Sequence, residues 1–350
     1  MSFCMRLLRR FYDRLGVDTL RAGVVGTGSV AETAHLPVYS SDPRTKLVAV
    51  ADLNVDSLSA AASKYGIEQT YEDGIEMIEE ADLDLVSIST PPATHKGLFI
   101  AAADAGVHVY CEKPMAISVE DAEAMADSAE SAGIITQVGY TRPYIDSFKT
   151  VSSLIDNNIL GEIRSLHTHR IRSPPSGGWN YDPSVSGGGV VSDQLPHILD
   201  FYIRIFETTP EVHKVRMESK DVPVVEDYAE IDFEFDGTPV RTTLGWTLHT
   251  QHQRNVLVAD YGTIEYDMSD ITGEIQSTEL AQRNGSNPII DVEGVFRAFT
   301  ADEDDFHHER VRDFVDHVAT GDRDTIASVK RGVQVTRGLR AVYDTAGWNI

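Results

Sequence analysis

Hydrophobic and polar positions follow two different patterns along the 350 residues of this chain, and the change comes at about Thr150. In the first part, short and uniformly apolar segments alternate with longer amphipathic ones. Such alternation predicts right-handed crossovers and a parallel, doubly wound sheet of the α/β class. The predicted strands are 20–25, 47–51, 83–89, 107–111 and 134–139, and the predicted helices are 54–65, 94–105 and 118–132.

The second part is predicted to consist of strands joined mostly by short turns, such as Asp236-Gly237, which favours an antiparallel sheet. The predicted strands are 163–171, 211–218, 228–235, 240–249 and 254–266, and helices at 191–205, 305–319 and 328–343 would cover one face. This pattern predicts an α+β domain at 146–350, after a doubly wound α/β domain at 20–145. Residues 1–19 mix arginines with apolar residues, which fits a poorly ordered extension or a short amphipathic helix.

Charge and composition exclude some classes of function. The formal net charge is -25 and the pI is about 4.7, with acidic residues spread along the whole chain. Nucleic-acid binding needs clustered Lys and Arg, so it is not expected. The acid excess is typical of proteins from salt-loving organisms, with an ordinary acidic cytosolic protein as the alternative. The lack of any apolar run near the roughly 20 residues of a membrane span argues against a membrane partner. The two cysteines, Cys4 and Cys111, fit a reducing cytoplasm.

The clearest motif follows the first predicted strand. The run Gly26-Thr27-Gly28-Ser29-Val30-Ala31 has the GxGxxA pattern of a dinucleotide-binding turn. Gly26 would permit the tight turn, Gly28 would let the backbone approach a pyrophosphate, and Ser29 and Val30 would open the helix whose N–H groups hold the phosphates. Asp52 ends the second strand, where an acid binds the ribose hydroxyls and repels a 2′-phosphate. NAD is therefore favoured over NADP; a plain tight turn and a surface acid are the alternatives.

Two further segments carry candidate catalytic groups. Glu112-Lys113-Pro114 follows the strand 107–111, at the sheet edge where ligands bind, so Lys113 is expected at the nicotinamide crevice rather than in a solvated turn. Asp193 and His197 are four residues apart and share one helix face. Asp193 can orient the imidazole, and His197 can exchange a proton with a substrate hydroxyl. A capping Asp beside an independent buried His is the alternative.

Taken together, the glycine turn, the Glu112-Lys113-Pro114 triplet and the segment 187–197 resemble the Gfo/Idh/MocA oxidoreductases, over roughly residues 20–345. That family includes glucose-fructose oxidoreductase and inositol dehydrogenase. The resemblance implies a Rossmann domain and a C-terminal domain with a large, mostly antiparallel sheet that commonly mediates dimers or tetramers. It also implies that Lys113 acts with Asp193 and His197, in the spacing of the inositol dehydrogenase branch. Leu195 stands where the family often has glycine, which leaves the substrate size open.

The resemblance extends to residues along the cofactor. Thr90, Pro91 and His95 lie in a segment that is similar to the family's turn along the nicotinamide ribose. Glu112 and Lys113 are expected to complete this set of cofactor-binding residues. For His95, an ordinary residue at a helix start is the alternative.

Other residues are candidates for the substrate. Tyr140, Arg142 and Tyr144 resemble the family segment that faces substrate, and Arg142 could bind a carboxylate or hydroxyls there or form a surface ion pair. Trp179 could stack on a sugar ring or serve packing alone. The histidine pair at 307–308 lies among acids and lacks a third ligand at suitable spacing, so no metal site is expected.

These observations predict a cytoplasmic, NAD(P)-dependent oxidoreductase that moves a hydride between a nicotinamide cofactor and a secondary hydroxyl of a sugar, polyol or sugar derivative. A redox-neutral glycosidase that uses NAD and a sensor that binds NAD and sugar without turnover are the alternatives. A homodimer or homotetramer that forms through the C-terminal sheet is also expected.

Overall fold

The computed structural model describes residues 19–176, 178–222, 224–247, 251–276, 289–293, 296 and 305–348. The chain divides into two compact units, the first comprising residues up to Tyr140 together with 304–336, and the second 141–303 with 337–350. The predicted N-terminal extension, apart from Thr19, lies outside the described residues. Among the helices that the structure describes, each is too short or too polar to span a lipid bilayer.

A six-stranded parallel sheet forms the centre of the first unit, with the strand order β3-β2-β1-β4-β5-β6. This order reverses between β1 and β4, and in such sheets ligands bind beyond the carboxyl ends of the strands at that point. The predicted parallel, doubly wound sheet is confirmed. Its strands are β1 (Leu20–Val25), β2 (Thr45–Ala51), β3 (Gln69–Tyr71), β4 (Leu85–Ile88), β5 (His108–Cys111) and β6 (Thr136–Val138).

Helices of the first unit begin and end at residues that favour those positions. The Asn54 side chain accepts hydrogen bonds from two N–H groups of the helix that follows it, and the Ser118 hydroxyl accepts one from the Asp121 N–H. Gly66 and Gly133 end two helices in the left-handed conformation. The helices are α1 (Leu36–Ser41, preceded by a π-helical segment Ala31–His35), α2 (Val55–Tyr65), α3 (Gly74–Glu80), α4 (His95–Asp104) and α5 (Val119–Ala132).

Helix α9 (Phe306–Thr320) belongs to the first unit, although the sequence placed everything after residue 145 in the second domain. Its apolar face, which includes Val311 and Phe314, is buried in the core of the Rossmann sheet, and the Phe314 ring lies 5.7 Å from that of Tyr110. The backbone of Val138 in β6 then donates a 2.7 Å hydrogen bond to the carbonyl of Ala327. The first unit is therefore completed by a segment that is distant in sequence.

Eight strands of the second unit form one sheet, in the order β14-β13-β12-β11-β7-β10-β9-β8. All neighbouring strands are antiparallel except β7 and β10, so the predicted mostly antiparallel sheet is confirmed. One predicted strand, 254–266, is wrong: the chain turns at residues 260–261 and forms a hairpin. The strands are β7 (Ile163–Arg172), β8 (Glu211–Glu218), β9 (Tyr228–Phe235), β10 (Thr238–Trp246), β11 (His252–Ala259), β12 (Gly262–Tyr266), β13 (Ile271–Gln276) and β14 (Ile289–Asp291).

One face of this sheet is covered by helix α8 (Val190–Phe206), which follows α6 (Asp146–Asp156) and the short α7 (Pro183–Ser186). Side chains of β9 alternate between buried and partly exposed, as the sequence pattern predicted. From α8, the Tyr202 hydroxyl lies 2.7 Å from the Thr168 hydroxyl of β7 and 2.9 Å from that of Thr242 in β10. Both polar and apolar contacts therefore fix α8 on the sheet. Helix α10 (Val329–Ala346) completes the described chain.

Candidate active site

The glycine turn after β1 has the geometry that nucleotide binding requires. Gly26 has a φ of +86°, and a Cβ there would lie 2.8 Å from the carbonyl oxygen of Ser89, so only glycine fits. At Gly28 an added Cβ would meet nothing within 4 Å, which leaves the backbone open to an approaching phosphate. The helical segment after the turn begins with Ser29 and the exposed Val30. Its N-terminal end presents backbone N–H groups.

Asp52 is held at the edge of this turn. Its Oδ2 accepts hydrogen bonds from the Thr27 N–H at 2.6 Å and from the Thr27 hydroxyl at 2.9 Å. Its Oδ1 accepts one from the Asn54 N–H at 2.7 Å. These contacts place a partly exposed carboxylate beside the glycine turn, where the sequence expects the ribose hydroxyls. The residues of the turn thus fit an NAD molecule, and the individual contacts to it stay predictions.

His95 is the first residue of α4 and is fully buried. One ring nitrogen, Nε2, lies 2.8 Å from the Thr90 carbonyl oxygen, and Nδ1 lies 3.1 Å from that of Pro114. Burial lowers the pKa of this imidazole, against the opposing effect of the backbone carbonyls. His95 therefore joins the Thr90-Pro91 turn to the loop after the Glu112-Lys113-Pro114 triplet. It thereby positions two predicted cofactor loops, and its own contact with the cofactor stays a prediction.

Glu112 points into the core of the first unit rather than toward a cofactor. Its Oε1 lies 2.6 Å from Nη1 of Arg310 and 3.0 Å from Nε2 of His35. Burial alone would raise the pKa of this carboxyl, but the Arg310 guanidinium and His35 outweigh burial and hold the pKa well below its usual range. The same Nη1 donates to the Tyr110 hydroxyl at 2.6 Å. A buried ion pair thus anchors the residue before Lys113, and the expected cofactor contact of Glu112 stays a prediction.

Lys113 follows β5 directly, at the carboxyl end of the parallel strands, and the Lys113–Pro114 peptide bond is cis. Its backbone N–H lies 3.4 Å from Oε2 of Glu112. This location agrees with the place that the sequence assigned to it, and its role at the nicotinamide stays a prediction.

Asp193 and His197 lie on α8 in the second unit, one turn apart as predicted, with Pro196 in the helix interior between them. Nδ1 of His197 accepts a hydrogen bond from the Thr141 N–H at 3.3 Å, and the Thr141 hydroxyl lies at the same distance. Because Nδ1 accepts, the neutral ring carries its proton on Nε2. The Asp193 carboxylate lies 3.7 Å from Nη1 of Arg172. The sequence did not predict either of these two neighbours.

The N-terminus of α8 is capped by a buried carboxylate, that of Glu226, which sequence reasoning missed. Oε1 of Glu226 accepts hydrogen bonds from the Gly189 N–H at 2.8 Å, the Val191 N–H at 3.0 Å and the Tyr343 hydroxyl at 2.8 Å. A Cβ on Gly189 would lie 2.0 Å from the Glu226 carbonyl oxygen, so this approach requires glycine. Since α8 lacks a capping side chain of its own, Glu226 supplies the acceptor that the helix N-terminus needs.

The predicted substrate residues fall into two groups. Tyr140, Arg142 and Tyr144 are all buried, and Arg142, which is 1% exposed, places its guanidinium 5.2 Å from the Phe148 ring. A surface ion pair is therefore not the role of Arg142. Trp179 is 45% exposed on a short 3-10 helix, which leaves its indole available for stacking.

An open pocket of about 370 Å³ in the second unit is lined by parts of β11, β12 and β13, including Glu265, Asp267 and Asp270. None of the predicted site residues lines it.

Two groups of residues have side chains that could ligate a metal ion. Of the predicted histidine pair, Nε2 of His308 lies 3.0 Å from the Thr33 carbonyl oxygen. Among the described residues, the ligand atoms of Glu211, His213 and Glu234 lie within 4.8 Å of one another, on the sheet of the second unit. The first two are exposed, and an ion pair between His213 and Glu234 accounts for their proximity.

Comparison with known families follows the division into units. Residues 20–140 match the GFO_IDH_MocA oxidoreductase family, described by its NAD-binding Rossmann fold, and residues 148–265 match the GFO/IDH/MocA C-terminal domain. The chain belongs to the Gfo/Idh/MocA family. This confirms the family resemblance and identifies the glycine turn as part of the NAD-binding domain of a Gfo/Idh/MocA protein.

Gfo/Idh/MocA relatives with assigned activities include two sugar and polyol dehydrogenases. Over 182 residues the chain is 31% identical to myo-inositol 2-dehydrogenase from Thermotoga maritima, covering 52% of this chain and 53% of that protein. Over 183 residues it is 31% identical to D-glucoside 3-dehydrogenase from Escherichia coli, covering 52% of each. The chain thus spans about half the length of these relatives.

Among solved structures, levoglucosan dehydrogenase in complex with NADH and levoglucosan is similar to this chain. It has a TM-score of 0.81 and 21% identity, covering 94% of this chain and 98% of that one. This likeness shows that the two proteins share a fold.

Proposed function

We propose that this protein is an NAD-dependent oxidoreductase that acts on a secondary hydroxyl of a sugar, polyol or sugar derivative. The observation that carries the proposal is the glycine turn, open at Gly28 and flanked by the Asp52 carboxylate, in a Gfo/Idh/MocA chain. The sugar and polyol dehydrogenases among its relatives support the substrate class. Asp52 favours NAD over NADP, because a carboxylate at this position repels a 2′-phosphate.

Three side chains are proposed to act on the substrate. Bound NAD⁺ supplies the hydride acceptor. Lys113 donates a hydrogen bond to the reacting hydroxyl oxygen and stabilises its developing charge. His197 exchanges the hydroxyl proton through Nε2, and Asp193 stabilises the imidazolium form.

Thr141 determines which direction of proton transfer the resting imidazole favours. With Nδ1 as an acceptor, the proton on Nε2 is ready to be donated to a carbonyl oxygen during reduction. For oxidation, Nε2 must first be unprotonated. In the tautomer that carries its proton on Nδ1, the ring donates a hydrogen bond to the Thr141 hydroxyl, 3.3 Å from Nδ1, and Nε2 is free to take the proton of the substrate hydroxyl.

The test is the rate of NADH formation from NAD⁺ with a panel of polyols, aldoses, sugar acids and sugar phosphates. Lys113→Ala and His197→Ala are each expected to lower kcat by at least about 10²-fold while NAD binding persists. Lys96→Ala is the matched control, since Lys96 is exposed and its ammonium pairs with Asp121 in the same unit as Lys113. Wild-type turnover in both site variants would contradict the assigned roles.

Adding glycosides to this panel separates the rival functions. Glycoside cleavage without net NADH, with cofactor retained through purification, would indicate a redox-neutral glycosidase. Binding of NAD and sugar without any turnover would indicate a sensor.

Solution properties complete the proposal. We propose a cytoplasmic homodimer or homotetramer that forms through the sheet of the second unit and is adapted to high salt by its net charge of -25. Light scattering tests the oligomeric state, and the thermal midpoint in low and high salt tests the adaptation to salt. A monomer would contradict the first feature, and a midpoint that does not change with salt would contradict the second.

A further inference from the structure

Three arginines of the second unit, Arg142, Arg170 and Arg172, lie beside the predicted proton-transfer residues. Arg142 follows Thr141, which contacts the His197 ring, and Arg172 lies 3.7 Å from Asp193. Arg170 and Arg172 are two residues apart on β7, so their side chains point to the same face of the sheet. This cluster of three arginines stands out in a chain with only 30 basic residues against 55 acidic ones.

The guanidinium groups of Arg142 and Arg170 each have a buried nitrogen without a hydrogen-bond partner in the described part of the chain. Nη2 of Arg142 is buried and has no hydrogen-bond partner there, and its ring neighbour Phe148 offers only an aromatic face. Nε of Arg170 is likewise buried without a partner. Its Nη1 donates to the side-chain oxygen of Gln253 and lies 3.8 Å from the Met268 sulfur, both of which are neutral.

The charges of the cluster oppose one another. Burial, followed by repulsion from Arg170, lowers the pKa of Arg142 to about 9. Burial, followed by repulsion from Arg172, lowers the pKa of Arg170 to about 10. Removing a guanidinium from water is unfavourable unless a nearby anion compensates it. Asp193, which also pairs with Arg172, and the buried Asp200 each offset part of the charge, yet the pKa values of Arg142 and Arg170 stay lowered.

An anion bound at the cluster would resolve both problems, since a carboxylate or phosphate accepts the unused N–H groups and offsets the repulsion. On the basis of the function proposed above, we propose that the substrate is an anionic sugar derivative whose carboxylate or phosphate binds Arg142 and Arg170. The adjacency of Thr141 and Arg142 places this anion close to the hydroxyl that His197 serves. The cluster thereby selects sugar acids or sugar phosphates over neutral polyols.

The experiment compares kcat/KM for glucuronate, gluconate and glucose 6-phosphate with kcat/KM for glucose and myo-inositol. The wild-type protein is expected to prefer an anionic member by at least about tenfold, and the preferred anion tells carboxylate from phosphate. Arg170→Met and Arg172→Gln should each lower that preference by at least about tenfold. These two variants carry the test because Arg142 is fully buried and its replacement could prevent folding. Arg164→Gln is the matched control, an exposed arginine of β7 that pairs with Asp260.

A second measurement, the affinity of glucuronate and of glucose 6-phosphate for the NAD-loaded protein, separates the inference from the proposed function. NADH formation with neutral polyols at rates equal to those with anions would overturn the anion site and leave the oxidoreductase proposal intact. Anion binding that Arg170→Met abolishes, without any NADH formation, would support the anion site and overturn the proposed function. Failure of both anions to bind, or binding that Arg170→Met and Arg172→Gln leave unchanged, would overturn the inference.

Discussion

Replacing Arg310 by Met tests the buried ion pair that anchors the Glu112-Lys113-Pro114 segment. The side chain of Arg310 is 2% exposed and that of Glu112 is 11% exposed, so water screens the pair only weakly. Removing one partner of a buried pair costs about 3–5 kcal/mol, because the other charge stays buried. Methionine keeps the apolar part of the arginine packed, so the loss reports on the charge rather than on a cavity. We therefore expect Arg310→Met to destabilise the first unit by about 3–5 kcal/mol at pH 7.

The assay uses the distribution of tryptophan. All three tryptophans, Trp179, Trp246 and Trp348, belong to the second unit, so their fluorescence follows unfolding of that unit alone. Hydrogen exchange of peptides from β5, β6 and α9 follows the first unit. Arg310→Met should accelerate exchange in the first unit and shift the fluorescence transition much less. Arg312→Met, a partly exposed arginine of the same helix, is the control and should cost less than about 1 kcal/mol.

Two further measurements can refute this reasoning. In the double variant Arg310→Met, Glu112→Gln the buried charge is gone, so most of the lost stability should return. The depressed pKa of Glu112 contributes stability above the carboxyl's unfolded value, and this contribution is lost as the pH falls. The difference between wild type and Arg310→Met should therefore shrink as the pH drops from 7 to below about 4. A loss below about 1 kcal/mol, or no recovery in the double variant, would show that the pair is not an anchor.

Other residues of the site give three further predictions. Thr141→Val removes the hydroxyl near Nδ1 of His197 and should lower kcat for oxidation about tenfold without changing the KM for NAD. Thr141→Ser keeps the hydroxyl and should retain activity. Equal kcat values for the two variants would contradict the proposed role of the Thr141 hydroxyl. Burial raises the pKa of Glu226, so its stabilising contribution is full below the unfolded value and is lost as the pH rises through the folded pKa. Glu226→Gln mimics the protonated acid, and its thermal midpoint relative to wild type should rise with pH; a constant difference would refute this assignment. Asp52→Asn should favour NADP, so that kcat/KM for NADP divided by kcat/KM for NAD rises at least about tenfold. Asp56→Asn is the control at an exposed aspartate. An unchanged ratio in Asp52→Asn would exclude Asp52 from cofactor selection.

The sequence predicted the parallel sheet because strands buried on both faces are uniformly apolar, and the glycine turn marked where the first strand ends. It did not predict β3 (Gln69–Tyr71), whose three residues are polar and largely exposed. It also merged β11 and β12, since the alternating apolar positions continue through a two-residue turn. Local patterns thus identified long elements and missed short ones.

Candidate site residues were predictable where a motif names them, as for Gly26, Asp52 and His197. The sequence did not reveal that Glu112 pairs with Arg310, because the two are 198 residues apart and a single sequence carries no signal that links such positions. Glu226 was missed for the same reason, since it caps the N-terminus of α8, which lies more than thirty residues earlier in the chain. Which way a side chain points was therefore the least predictable property of the site.

Completion of the first unit by residues 305–336 has a consequence for how the protein is made. A ribosome synthesises β1 to β6 first, yet helix α9, which packs against them, is made only after the strands of the second unit. Until then the nascent nucleotide-binding half exposes the apolar surface that later receives Val311 and Phe314. A stop codon shortly before residue 305 would consequently disable NAD binding while leaving every residue of the glycine turn in place.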